Sequence, residues 1–148
     1  MKKLMLICAP VTSRSGYGSH ARDLTHAFLQ HNKYDVKIFD VPWGQCPRNA
    51  LDKNNPNDKK ILDCILEKPE VEKKPDVYVD IRIPNEFQTY GNYNIGITAG
   101  VETTVVSQKW LEGCNKMDLI IVPSEHSKTG FVSTIFDKVN NLPDGQQQ

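Results

Sequence analysis

The stretch GYGSHA at positions 16–21 has the residue types of a phosphate-binding turn. Gly16, Gly18 and Ala21 match the GxGxxA dinucleotide fingerprint, and Asp40 ends a predicted strand about where the fingerprint expects a ribose-binding acid. However, the residues VTSRS separate the preceding strand from Gly16, whereas the first glycine of the fingerprint directly follows its strand. The glycines could admit a ligand beside the next helix, or they could simply shape the turn into it. The sequence leaves both interpretations open.

The segment AGVETT at positions 99–104 contains the candidate catalytic residue, Glu102, followed by the hydroxyls of Thr103 and Thr104. A carboxylate beyond the end of a strand can accept a proton from a substrate hydroxyl, or hydrogen-bond that hydroxyl. The alternative is a solvated carboxylate or a cap on the following helix. We carry Glu102 forward as the predicted catalytic residue.

A second polar segment, SEHSK at positions 124–128, follows the apolar run Leu119–Val122 and Pro123. Ser124 is well placed to cap a helix that continues through Glu125 and His126. His126 could act as a base near neutral pH, although a lone histidine is more often structural. Ligands of open α/β sheets bind beyond the carboxyl ends of the strands, so this segment joins the candidate site.

Alternating strands and helices must position these segments. The apolar periodicity predicts strands at 3–10, 35–41, 76–84, 94–98 and 119–122. Helices are predicted to start near Ser19, at Asn57 or Asp58, at Ser107 and at Ser124, and the first should end near Asn32. This alternation favours an α/β fold, a doubly wound, Rossmann-like parallel sheet with helices on both faces.

The predicted strand order is 3-2-1-4-5. The third strand alternates apolar and polar residues, which indicates an edge position, whereas the unbroken apolar run of the fifth strand indicates burial on both faces. The switch point of this order brings residues 12–19 opposite residues 99–104, with Ser124–Lys128 beside them.

Composition excludes several classes of protein. The 148 residues suffice for one domain, predicted at 1–137 with a frayed tail at 138–148. The 18 basic and 18 acidic residues cancel, so we expect no nucleic-acid partner. The four cysteines form no CxxC pair, so no metal site is expected. No apolar stretch approaches the roughly 20 residues of a membrane span, and we expect a cytoplasmic protein.

The segments GYGS, PNEFQ, GITAGVETT, WLEGCNKMD and IIVPSEHSK carry a family resemblance. With them, the chain resembles the amino-terminal domain of GT-B fold glycosyltransferases, especially the sugar-nucleotide-dependent enzymes of bacteria and large tailed phages. The resemblance extends from Lys3 to about Phe136. It implies that this domain binds a sugar or polyol acceptor, while a carboxyl-terminal domain holds the nucleotide sugar and no further cofactor is needed.

The resemblance also implies roles for individual residues. Gly16 and Gly18 would line the cleft near the donor phosphates, Glu102 would lie near the transferred sugar, and Ser124 would face the opposite domain. The chain has no pair of glutamates separated by seven residues, and the segment directly after the fourth strand has no histidine, where many relatives carry one. The expected substrate-binding or donor-binding residues are Ser15, Gly16, Tyr17, Gly18, Thr103, Thr104, Ser124, Glu125 and His126.

The expected protein is therefore the acceptor-side half of a glycosyltransferase whose donor domain is absent, inactive alone, and able to self-associate through exposed apolar surface. Two alternatives stay open. An NAD(P)-dependent oxidoreductase would use GYGSHA and Asp40, and a non-catalytic ligand-binding domain would use the same crevice without chemistry.

Overall fold

The structure is a computed structural model that describes residues 2–99 and 107–133. Strands alternate with helices through these two ranges. The strands are β1 (Lys3–Ala9), β2 (Tyr34–Asp40), β3 (Val77–Ile81), β4 (Tyr93–Ile97) and β5 (Leu119–Ile121). The helices are α1 (Gly16–His31), α2 (Pro56–Leu62), α3 (Gln108–Asn115) and α4 (Glu125–Ser133). A short 3₁₀ turn, Pro84–Glu86, follows β3.

The strands form a single all-parallel sheet in the order β2-β1-β3-β4-β5. The predicted α/β class with a parallel, Rossmann-like sheet is confirmed. The predicted order 3-2-1-4-5 is wrong, because β3 lies between β1 and β4. The order reverses beside β1, so the switch point of the sheet is the gap between the carboxyl ends of β1 and β3.

A misassigned segment explains part of this error. The spacing of Ile61, Leu62, Ile65 and Leu66 predicts that they lie on one helix, but α2 ends at Leu62. The chain then extends alongside β2, where Ile38 N donates to Cys64 O at 2.8 Å and Leu66 N donates to Ile38 O at 2.8 Å. This short pairing occupies the edge position that the prediction assigned to the third strand.

Burial of polar residues explains the rest. Tyr78 and Asp80 lie on the polar side of the β3 alternation, yet both are fully buried. The hydroxyl of Tyr78 donates to Asp80 at 2.7 Å, so the two polar groups satisfy each other inside the protein. The alternation of apolar and polar residues in β3 therefore predicted a solvent-facing side where Tyr78 and Asp80 form a buried hydrogen bond. The predicted edge position of β3 is wrong.

The opposite error occurs at β5, which is the edge strand. Leu119 and Ile121 are 43% and 44% exposed, so the expected burial on both faces is wrong. The predicted cap on the next helix is confirmed, because Ser127 N donates to Ser124 Oγ at 3.2 Å. Ser107 likewise caps α3 as predicted, accepting from Trp110 N.

Two apolar clusters hold the sheet, one on each face. Met5 and Ile7 pack with Ala21 of α1, while Leu6 and Tyr78 belong to the cluster on the other face. Because successive strand residues point to opposite faces, β1 contributes to both clusters and forms the centre of the fold.

Helix α1 begins three residues earlier than the glycine motif suggested from Ser19, at Gly16. Its cap is Ser15, whose hydroxyl accepts from Gly18 N at 3.0 Å. The predicted end near Asn32 is confirmed: Asn32 has a left-handed φ of 57° and donates its N–H to Phe28 O. Likewise α2 is capped by Asn55, and not by the predicted Asn57 or Asp58.

The predicted domain boundary at residue 137 and the tail 138–148 lie outside the described residues. Among the helices that the structure describes, none is long and apolar enough to cross a membrane.

Candidate functional site

The loop between β1 and α1 packs tightly on itself. A Cβ at Gly18 would lie 2.2 Å from Ser13 O and 3.0 Å from Pro10 O, so glycine is required there by the loop's own backbone. A Cβ at Gly16 would meet no described atom within 4 Å. The two glycines of the motif therefore differ: Gly18 closes the loop, and Gly16 leaves an open position at the start of α1.

Arg22 fixes the same loop from the helix side. Its guanidinium donates to Val11 O at 3.0 Å and to Ser13 O at 2.8 Å. The hydroxyl of Ser13 is also hydrogen-bonded to that of Ser15 at 2.7 Å. These contacts hold the start of α1 in one conformation, so the loop is preorganised for any ligand that it contacts.

Tyr17 joins the loop to the end of β4. Its hydroxyl is hydrogen-bonded to Thr98 Oγ1 at 3.0 Å and accepts from Ala99 N at 3.0 Å. Thr98 is buried, so the Tyr17 hydroxyl lies within the structure and not free in a crevice. The Tyr17 hydroxyl thus forms a bridge across the carboxyl edge of the sheet, and the substrate-binding role of Tyr17 stays a prediction.

The loop between β2 and α2 covers this bridge. Trp43 stacks on Tyr17 with ring centroids 4.2 Å apart and planes inclined by 25°. Two backbone hydrogen bonds tie the loop down, from Arg14 N to Pro47 O at 2.9 Å and from Ala50 N to Thr12 O at 3.0 Å. The long loop after β2 is therefore part of the same edge as the glycine motif.

Asp40 anchors that loop at its start. Its carboxylate accepts from Thr12 Oγ1 at 2.6 Å, from Thr12 N at 3.3 Å and from Arg48 at 2.7 Å. The side chain of Asp40 is only 10% exposed. Both carboxylate oxygens are thus used within the protein, which disfavours Asp40 as the acid that binds a ribose.

No family model matches the chain, and neither a curated protein nor a solved structure matches it. The chemistry of the site is therefore inferred from its own residues.

The other expected site residues fall into two groups. Glu102, Thr103 and Thr104 lie outside the described residues, three to five positions beyond Ala99, whose N–H donates to the Tyr17 hydroxyl. Ser124 begins α4 beyond the end of β5, where Glu125 and His126 are exposed. Because β5 lies next to β4, the segment Ser124–His126 borders the carboxyl edge of the sheet on the β5 side, whereas the loop that carries Trp43 leaves from β2.

A polar cluster that the sequence did not reveal lies within the sheet. Asp80 accepts from Arg82 Nε at 2.7 Å, from a second Arg82 nitrogen at 2.8 Å, and from Gln88 N at 3.1 Å. Arg82 also donates to Glu86 O at 2.7 Å, which ties the 3₁₀ turn to β3. The available signal was an acid and an arginine two positions apart on a single strand face.

This cluster perturbs the groups around it. Burial, then the charge of Asp80, raises the pKa of Cys8 to about 11. The same two causes raise the pKa of Tyr78. Burial alone would lower the pKa of Arg82, but its hydrogen bonds to Asp80 and the charge of that carboxylate outweigh burial and raise it. All three groups are therefore held in their ordinary protonation states at neutral pH.

A metal is not indicated within the described part of the chain, where no three His, Cys, Asp or Glu side chains are grouped to hold one. The candidate site lies at the carboxyl edge of the sheet. It consists of the open start of α1, the Tyr17 bridge and the loop that carries Trp43.

Proposed function

We propose that this chain is the acceptor-side half of a glycosyltransferase, which moves a sugar from a nucleotide sugar to a hydroxyl acceptor. The partners in this proposal are a sugar or polyol acceptor and a donor domain that holds the nucleotide sugar, and the location is the cytoplasm. The resemblance of the segments GYGS, GITAGVETT and IIVPSEHSK to the amino-terminal GT-B domain motivates it.

One contact supports the proposal most directly. The Tyr17 hydroxyl accepts from Ala99 N, and Ala99 begins the segment that contains Glu102. The glycine motif therefore meets Ala99, the first residue of that segment, beyond the carboxyl ends of the strands, which is where ligands of open α/β sheets bind. The proposal requires this meeting, since the acceptor has to touch both.

Glu102 has the catalytic role in the proposal: its carboxylate would accept the proton of the acceptor hydroxyl as the new glycosidic bond forms. Thr103 and Thr104 would hydrogen-bond the acceptor. Ser124, Glu125 and His126 would border the cleft that the donor domain closes. Positioning of the donor and stabilisation of its leaving phosphate would come from that domain, so the chain alone should turn over poorly.

The oxidoreductase alternative has less support in the described residues. It needs a free ribose-binding acid, but Asp40 is bonded to Thr12 and Arg48. It also needs backbone room for a pyrophosphate at the second glycine, but Gly18 faces Ser13 O of its own loop.

The proposal also includes self-association, which is supported by exposed apolar side chains at the β5 edge of the sheet. Leu119 and Ile121 of the edge strand and Val132 of α4 are all large, apolar and exposed. A sheet edge with apolar neighbours is a place where a second chain can add. Light scattering at high protein concentration would test this, and a strict monomer would contradict it.

The function is tested by ligand-observed NMR on the 148-residue chain. The probes are neutral methyl hexopyranosides and disaccharides, a set of nucleotide sugars, NAD⁺ and NADP⁺. The proposal predicts saturation transfer to one or more saccharides and none to either dinucleotide. Transfer to NAD⁺ or NADP⁺ without any saccharide would overturn it in favour of the oxidoreductase.

Turnover separates catalysis from plain binding. In a protein that joins this chain to a donor domain, Glu102→Gln should abolish sugar transfer while saccharide binding persists. Thr103→Val is the matched control, which should weaken acceptor binding but keep measurable transfer. Normal transfer by Glu102→Gln would remove the proposed base.

A further inference from the structure

We propose that Trp43 is the surface on which a pyranose ring of the acceptor stacks, an inference that rests on the proposed function. Trp43 lies in a predicted long surface loop, of a length that is often functional, but the sequence gives Trp43 itself no role. The structure gives three separate reasons: its position above the sheet, the rigidity of its support, and the polar groups beside it.

The position follows from the width of the sheet. β2 and β4 are separated by β1 and β3, which at normal strand spacing is roughly 14 Å. Trp43 leaves from the end of β2, yet it stacks at 4.2 Å on Tyr17, whose hydroxyl reaches the end of β4. The loop after β2 must therefore lean inward over the carboxyl ends of the middle strands. This places the indole at the β1/β3 switch point, where ligands of such sheets bind.

The support is rigid on both sides of the indole. Tyr17 beneath it is held by Thr98 and Ala99 at its hydroxyl and by the capped start of α1 at its backbone. The loop itself is tied down by the Asp40–Arg48 ion pair and by the hydrogen bond from Ala50 N to Thr12 O. An aromatic ring held in this way binds a ligand with little loss of side-chain entropy.

The surroundings fit a saccharide. Trp43 is half-buried, so part of the indole is available, and a pyranose presents an apolar C–H face of matching size. The same loops hold planar polar side chains in fixed orientations: Arg14 Nε donates to Asn49 Oδ1 at 2.7 Å, and Arg48 is paired with Asp40. An aromatic plate on loops that also carry planar hydrogen-bonding groups suits a ring that carries hydroxyls at its rim.

The chain contains two tryptophans, which makes a fluorescence test possible. Trp110 lies on α3 and stacks on Phe131, in a different part of the protein. Trp110→Phe therefore leaves Trp43 as the single reporter, and Trp43→Phe leaves Trp110. The probes are the neutral methyl hexopyranosides and disaccharides, with UMP and NAD⁺ as nucleobase controls.

The expected result is a saturable change in emission with a saccharide in Trp110→Phe and no change in Trp43→Phe. By ligand-observed NMR, Trp43→Ala should weaken saccharide binding about tenfold or more, whereas Trp43→Phe, which keeps an aromatic ring, should lose less. Far-ultraviolet circular dichroism and a urea midpoint for each variant separate lost binding from lost folding. The Trp110→Phe titration needs no change at the site and stands even if Trp43→Ala fails to fold.

The outcomes are distinguishable. The inference is overturned if a saccharide binds without changing the emission of Trp43, and if Trp43→Phe and Trp43→Ala bind it with unchanged affinity. The proposed function would still stand in that case. If UMP or NAD⁺ changes the emission of Trp43 and no saccharide does, the inference is overturned, because Trp43 then stacks on a nucleobase. Absence of any saccharide binding to the unmodified chain overturns the inference together with the proposed function.

Discussion

The described residues include two aspartate–arginine pairs near the ends of strands. The charged groups are the same in both pairs, but the pairs differ in exposure and in what they hold together. Asp40 and Arg48 lie at the rim, with side chains 10% and 46% exposed. Asp80 lies in β3 and Arg82 directly after it, with side chains 0% and 16% exposed. The rim pair ties the loop after β2 back to the end of that strand, whereas the buried pair and the bond from Arg82 to Glu86 O hold β3 to the turn that follows it.

The difference separates the stability of the fold from the shape of the site. A buried carboxylate that loses its partner costs several kcal/mol, whereas an exposed pair contributes about 1 kcal/mol or less. We therefore expect changes at Asp80 to lower the free energy of unfolding strongly, and changes at Asp40 to loosen the loop that carries Trp43 with a much smaller loss of stability. The following predictions test that division, from the largest expected effect to the smallest.

The largest effect is expected from Asp80→Asn. The substitution removes the charge that faces the Arg82 guanidinium and leaves Tyr78 and Gln88 with a weaker acceptor. We expect a loss of roughly 3 kcal/mol in the free energy of unfolding, measured by urea denaturation at neutral pH.

Asp35→Asn is the matched control, because Asp35 is 57% exposed and its Lys37 partner is 3.9 Å away. It should change stability by less than about 0.5 kcal/mol. Equal effects of the two substitutions would contradict the division between buried and exposed pairs.

The next effect is expected at the rim, from Gly18→Ala. The new Cβ would lie 2.2 Å from Ser13 O, so the β1–α1 loop has to move. We expect a loss of about 1–3 kcal/mol, again by urea denaturation, together with a change in the near-ultraviolet signal of the Tyr17–Trp43 stack.

Gly16→Ala provides the comparison two residues away. Its Cβ has open space, and alanine is the better helix former, so stability should be unchanged or slightly raised. A similar loss in both variants would show that the helix start, and not the contact with Ser13, is what requires glycine.

A smaller effect is expected from alkaline pH, and it should belong to the buried cluster. The pKa of Cys8 is raised from 9.0 to about 11 by burial first, so the folded state keeps a proton that the unfolded chain releases. Stability from this group is full below pH 9 and is lost as the pH rises towards 11, and the raised pKa of Tyr78 acts in the same direction.

Urea midpoints at pH 7, 9 and 10.5 would measure this loss. Cys8→Ala should show a shallower decline above pH 9 than the unmodified chain, because one of the titrating groups is gone. A stability that stays level to pH 10.5 in the unmodified chain would contradict the burial of these groups.

The smallest effect on stability is expected from Asp40→Asn. The asparagine keeps an acceptor for Thr12 but loses the ion pair with the half-exposed Arg48. We expect a loss of about 1 kcal/mol or less. Acrylamide quenching of Trp43 in the Trp110→Phe background should nevertheless increase, because the loop is less constrained. A loss as large as that of Asp80→Asn would erase the contrast between the two pairs.

The sequence predicted those features that depend on local chemistry. The apolar run of β1, the caps at Ser107 and Ser124, and the end of α1 near Asn32 all follow from one residue and its neighbours. The α/β class also followed, because alternation of strands and helices leaves few other architectures.

Features that depend on distant contacts could not be predicted. Alternation in β3 looks the same whether Asp80 meets water or the Arg82 guanidinium, and the run at β5 looks buried although it lies at an edge. Residues 64–66 have helical spacing, yet they leave the helix and form an isolated β-bridge with Ile38. Trp43 is one tryptophan in a Pro/Asn-rich loop until the fold brings Tyr17 beneath it.

The most direct test of the account is a map of backbone and indole N–H shifts as a binding saccharide is added to the isotopically labelled chain. We predict the largest shifts at Gly16, Tyr17, Gly18 and the indole N–H of Trp43, at the carboxyl edge of the sheet. Shifts concentrated instead around Val71 and Lys73, beside the cleft of about 420 Å³ under residues 69–75, would contradict it.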